Sequence, residues 1–314
     1  MQMLALQATS LRNPQKFPPF MASQPVQHTQ KTLLTPASCQ GVGVHSGNPV
    51  TMTLRPAPVG SGITFVRTDL GKALIKASWK TVVDTRFCTT IGNQNGVTVS
   101  TVEHLFAALA AMGIDNLRIE LNGPELPIMD GCSEFFLTLL EQTGVRDQQA
   151  PRQMIRVLKT VTVSEGNRSA TLSPSSFYEL EVDFDFGGRI ALETQHLVFR
   201  PSRDSFHDLI APARTFGLLE DAEKLRAAGL AKGASLDNTV VYDGSHVLNE
   251  EGLRYEDECA RHKILDAMGD LHLAGGMILG KFHGLRAGHG LHCQLLKALF
   301  ADPTAYFIES SAKV

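Results

Sequence analysis

The sequence has 314 residues, 43% of them hydrophobic and 19% charged, which excludes a disordered chain or a fibre and leaves a globular protein long enough for two cores of ordinary size. Lys and Arg total 29 against 32 Asp and Glu, a formal charge of −3, so neither the basic surface that nucleic acid requires nor an acidic tail is present. The five cysteines are far apart and form no Cys-x-x-Cys pair, a pattern that fits a reducing cytoplasm.

Residues 1–30 are rich in Gln and Pro and carry no acidic residue; they make a poor signal peptide and are expected to be a disordered tail. No apolar run is long enough to predict a membrane span. From Lys31 to about Arg86, short apolar runs broken by Gly and Pro predict strands and tight turns. TVSTVEHLFAALAAMG predicts a helix, with Ser100 and Glu103 as a capping box and Gly113 as its stop. A strand at DNLRIELNG and a helix around Ser133 to Thr143 follow, and the polar run 146–153 reads as a linker.

The second half loosely repeats this plan. IRVLKTVTV and YELEVDFDF predict strands, Tyr255 to Ala274 a helix, and a last helix follows Gly290. Between about 216 and 248 a helix, EDAEKLRAAG, precedes a strand, NTVVYD, and reads as an insertion of βαβ character. The expected fold is α+β: two similar α/β-sandwich domains, 31–150 and 151–314, each a mixed sheet packed with helices, the helices of the two facing each other.

In RHKILDAMGDLHL, Ile264, Leu265, Met268 and Leu271 form one stripe, while His262, Asp266 and Asp270 fall within about 80° of arc on the other side. His262 and Asp266, four apart, are able to reach one point, as two metal ligands from a single helix must. The alternative is a solvated face carrying a His–Asp pair. On the first-half helix, His104 lies opposite Val102, Leu105, Phe106 and Leu109, among Ala107, Ala108 and Ala111 instead of charges. Small residues there admit a second helix, and a helix offering His262 and Asp266 would complete a two-His, one-Asp set with a position open for water. By itself His104 reads rather as a core histidine hydrogen-bonded to backbone. Glu103 is either a base beside such a metal or merely the helix cap. His289, in a Gly288-His289-Gly290 loop, is a further acid–base candidate among eleven histidines, with His272, His283 and His292 as competitors. GVGVHSG lacks dinucleotide spacing and a following helix, and GGMILGK has Phe282 where a Walker motif needs Ser or Thr, so both read as turns.

The segments VEHLFAALAAMGIDN, ELPIMDGCS, ARTFG and RHKILDAMGDL followed by AGHG, with the opening KTLLTPASCQGVGVHSG, resemble the zinc-dependent UDP-3-O-acyl-N-acetylglucosamine deacetylase family of lipid A biosynthesis. The likeness spans about residues 31–305 and does not reach the first thirty. It implies a zinc ion on His104, His262 and Asp266, Glu103 as general base, and His289 as the catalytic histidine oriented by Asp270. It further implies Thr215 and Lys263 at the oxyanion, Phe216 beside an acyl passage walled by the insertion, and Arg286 at the diphosphate. Phe184 would serve the uridine side, where this chain departs from the family's Asp-Phe-x-His-Pro with Asp183-Phe184-Asp185-Phe186-Gly187. The expected substrate is an acylated UDP-sugar and the expected protein a cytoplasmic monomer. Two classes remain beside the deacetylase: two His and one carboxylate also describe a non-haem Fe2+ oxygenase, and a carrier with a structural metal would bind without turnover.

Overall fold

A computed structural model of the chain describes residues 29–201 and 203–310. Residues 1–28 of the expected tail lie outside the described residues, and its last two positions, Thr29 and Gln30, belong to the strand Thr29–Leu33. That strand pairs antiparallel with Val145–Pro151, so the run expected as a linker is mostly strand. Its polar residues sit in a two-stranded ribbon with little apolar surface to cover, which is why periodicity did not mark it.

The first sheet has the order Ala37–Val42, Pro49–Pro56, Leu117–Leu121, Ile63–Arg67, Ala73–Lys76. Neighbours run antiparallel except Ile63–Arg67 and Leu117–Leu121, which are parallel. Strict alternation buries Val50, Met52 and Leu54 on one face of Pro49–Pro56. Helix α1 (Glu103–Met112) meets this sheet through Phe106, stacked 6.1 Å from Phe65, and ends at Gly113 in the left-handed conformation, as the sequence predicts. Helix α2 (Glu134–Thr143) adds Phe136, Leu137 and Leu140 to the same core.

The second sheet is built on Met277–Leu285, which lies between Gln153–Val157 and Arg168–Ser173 and also pairs parallel with Tyr178–Phe184. The remaining short helices are α3 (Arg203–Leu209) and α4 (Leu219–Ala227). Phe216–Leu218, α4 and the parallel strand Val240–Asp243 form the expected βαβ insertion. Helices α5 (Glu258–His272) and α6 (His289–Ala301) pack on the second sheet, with Phe282 of its central strand 5.4 Å from His292 of α6. The architecture is α+β, with helices from the two halves facing each other.

The meeting of α1 and α5 positions everything that follows. At Gly269 of α5, an added Cβ would stand 2.1 Å from the Glu103 carbonyl oxygen, so the two backbones touch there because one residue has no side chain. Gly269→Ala should therefore push the helices apart and lower stability by about 1–3 kcal/mol, the range for overfilling a packed interior. Urea unfolding of the purified variant measures it. A solvated face on α5 is ruled out, since His262, Asp266 and Asp270 are all buried.

Candidate metal centre and active site

Helix α1 starts without a side-chain cap. Ser100 Oγ accepts from Thr90 Oγ1 at 3.0 Å, and Glu103 turns inward, where its Oε2 accepts the Thr89 amide at 3.0 Å. The capping box expected of Ser100 and Glu103 is thus absent; Glu103 is 2% exposed and is spent on the site instead. Thr101, just before the helix, holds a positive φ of 58° and donates to Glu125 at 3.1 Å. A threonine in the left-handed region is strained, and such strain gathers at functional sites.

His104, His262 and Asp266 converge between α1 and α5. His262 Nε2 lies 3.3 Å and His104 Nε2 4.0 Å from Asp266 Oδ1, with the rings perpendicular and 5.0 Å apart. Burial, with His262 alongside, pushes His104 down to about 3, and burial also lowers His262. Burial opposes ionisation of Asp266, but Lys263 and His262 hold its carboxyl well below the usual range. His262 Nδ1 donates to Ala213 O at 3.0 Å, so in the neutral ring Nε2 carries the lone pair. The lone pair on His262 Nε2 therefore faces the Asp266 carboxylate with no proton between them. Such a cluster is repulsive unless a cation neutralises it. Ligands of a tetrahedral ion with bonds of about 2.0–2.2 Å stand about 3.3–3.6 Å apart, close to the His262–Asp266 separation. His104 Nδ1 is also buried without a hydrogen-bond partner. The donor set fits a divalent ion such as zinc.

Next to these side chains, His289 Nε2 approaches Glu103 Oε1 at 3.8 Å, and His289 Nδ1 donates to Asp270 Oδ2 at 2.8 Å. His289 is the first residue of α6 rather than a loop residue, with Gly288 in the N-cap position. Asp270 is heavily engaged: His292 Nδ1 donates to the same oxygen at 2.8 Å, and Thr89 Oγ1 donates to the other at 2.5 Å. Burial alone would lower the His289 pKa, but the Asp270 and Glu103 carboxylates raise it well above the ordinary imidazole value. Burial keeps Glu103 above the usual carboxylate range.

A cavity of about 410 Å³ reaches from Glu103 and His104 to the insertion, lined by Val44, Phe87, Ile128, Phe216, Leu225 and Leu248 among others. Thr215 and Phe216 border it, and Phe216 stands 5.9 Å from the His262 ring. Lys263 is turned to Asp266 Oδ2 at 2.8 Å and lies over the rings of Phe216 and Phe184. Phe184 joins Phe186 and Phe216 in one aromatic cluster. Arg286, expected at a diphosphate, forms a bidentate pair with Asp185 at 2.7 and 2.8 Å. Sequence reasoning missed Thr89, which no motif marks. It left His292 as one histidine among several, although its place three residues after His289 puts both on one side of α6.

Burial pushes the Cys88 thiol at this cavity up to about 12, so it stays protonated at neutral pH. The site brings together three side chains able to hold a metal ion, a buried carboxylate and a braced imidazole. That combination belongs to the metal-dependent hydrolases. Residues 30–301 match the LpxC family, described as UDP-3-O-acyl N-acetylglycosamine deacetylase, and the chain belongs to that family. It is similar to the UDP-3-O-acyl-N-acetylglucosamine deacetylase of Myxococcus xanthus, 47% identical over 286 residues that cover 91% of this chain and 90% of the relative. The proteins of the same description from Shewanella baltica and Shewanella oneidensis are 46% identical, over 90% of this chain and 94% of each relative.

Proposed function

We propose that the chain removes the acetyl group from UDP-3-O-acyl-N-acetylglucosamine, releasing acetate and the free amine in the committed step of lipid A biosynthesis, with zinc on His104, His262 and Asp266. The observation that carries this reading is the convergence of those three buried side chains beside Glu103 and His289 in a chain of this family. A divalent cation held by His104, His262 and Asp266 would supply a Lewis acid for the hydrolysis. Glu103, within 3.8 Å of His289 and raised by burial, takes the proton that the water gives up. Protonated His289 donates to the departing nitrogen, and Asp270 keeps it charged and aimed through Nδ1. Thr215 and Lys263 stabilise the oxyanion, and the cavity along Phe216 takes the acyl chain, excluding water from it. Arg286 and Phe184 serve the nucleotide end, which requires Arg286 to exchange Asp185 for phosphate.

Five strands between residues 37 and 121 form the first sheet and seven between 153 and 310 the second, which supports two domains, 31–150 and 151–314. Cys39, Cys88, Cys132, Cys259 and Cys293 are all free and buried, which supports a reducing, cytoplasmic setting. No helix among the described residues is long and apolar enough to cross a membrane.

Amine release from the acylated UDP-sugar tests the activity: it should stop on chelation and return with zinc, and amine formation that survives complete metal removal refutes the metal role. A second expectation concerns pH. Because Asp270 raises the His289 pKa, Asp270→Asn should lower it, leaving less protonated acid at neutral pH. The alkaline limb of kcat/KM against pH then moves to lower pH. An unmoved limb removes Asp270 from this role.

A further inference from the structure

The orientation of His262 rests on one main-chain oxygen. Ala213 O accepts from its Nδ1 at 3.0 Å, which leaves Nε2 to face Asp266. Ala213 lies between α3 and the strand Phe216–Leu218, in a stretch without helix or strand to hold its carbonyl. The carbonyl of Ala213 and the amide N–H of Arg214 are two ends of one planar peptide group. Glu258 Oε1 accepts that N–H at 3.0 Å. Glu258 and His262 are one turn apart on α5, so a single helix grips both ends of this peptide.

The Arg214 side chain reinforces the grip. Its Nε donates to the same Glu258 oxygen at 2.9 Å and its Nη2 to the other at 3.2 Å, with the two side chains 2% and 1% exposed. Nη1 and Nη2 also reach Glu251 Oε1 and Gly252 O. Stability is a weak reason for burying such a pair, since well-packed apolar replacements are often neutral or better. Apolar groups do not, however, accept the Arg214 amide. We infer that Glu258 is a positioning residue for His262, acting through the Ala213–Arg214 peptide. The inference rests on the reading of His262 as a metal ligand.

The test separates positioning from packing with two variants of the zinc-loaded protein. Arg214→Met/Glu258→Leu removes both charges and the acceptor, and should raise the zinc dissociation constant by about 10–100-fold, measured by chelator competition. Glu258→Gln keeps an acceptor oxygen beside the Arg214 amide but leaves the guanidinium with a neutral partner. It should lose thermal stability and keep zinc affinity near that of the unsubstituted protein. If the double variant does not fold, Glu258→Met with zinc release as the readout carries the same expectation. Zinc affinity that is unchanged in the acceptor-free variant, or that simply follows melting temperature across the set, overturns the inference. His262→Ala is the control for the underlying reading. If it binds zinc as tightly as the unsubstituted protein, the ligand assignment fails; if it loses zinc while the acceptor-free variant does not, only the role of Glu258 falls.

Discussion

Asp266→Ala protein should purify without stoichiometric zinc and turn over at less than about one ten-thousandth of the unsubstituted rate, a larger loss than removing an acid–base group produces. The change removes the only anion among the three converging side chains, leaving two neutral imidazoles at the site. It also strands the Lys263 ammonium, which is bonded to Asp266 Oδ2 at 2.8 Å. Removing one partner of a buried pair costs about 3–5 kcal/mol, so lost activity alone would be ambiguous. Asp266→Asn resolves this. Its amide oxygen still accepts from Lys263, so most stability should survive, while zinc binding falls with the lost charge. Elemental analysis beside a melting curve reads both quantities. Full zinc in either variant contradicts the ligand assignment.

His289→Ala should behave differently. The ring lies outside the cluster of His104, His262 and Asp266, so zinc content should stay normal while turnover falls by about 10²–10⁴-fold, the range for a general acid. An amide nitrogen leaves poorly as an anion, and with His289 Nδ1 held by Asp270 at 2.8 Å its Nε2, on the Glu103 side, is the atom free to give the proton. The alkaline limb assigned to His289 should also disappear from the pH profile. Unchanged turnover removes His289 from the mechanism. A parallel loss of zinc would mean that His289 belongs to the metal set instead.

Much of this site was legible before any coordinates. His262 and Asp266 are four apart on a helix whose apolar stripe lies elsewhere, and His104 has alanines where a solvated face would have charges. Both are consequences of helix geometry, which fixes side-chain direction from spacing. The βαβ insertion and the stop at Gly113 were legible for the same local reason. The capping box failed because the same pair of residues had stronger partners elsewhere: Glu103 is drawn to the Thr89 amide and Ser100 to Thr90, neither adjacent in a helical frame. Arg214 and Glu258 look like surface charges in one dimension, and only the folded chain puts them together inside the protein. Thr89 escaped for a similar reason, as its bond to Asp270 spans 181 positions.

The central claim is that α1 and α5 jointly hold a divalent cation through His104, His262 and Asp266. Anomalous diffraction at the zinc absorption edge from crystals of the purified protein tests it most directly. The account predicts one strong peak within bonding distance of a nitrogen of each imidazole and of an Asp266 carboxylate oxygen. A protein that deacetylates its substrate but shows no such peak there, or shows its zinc on other residues, contradicts it.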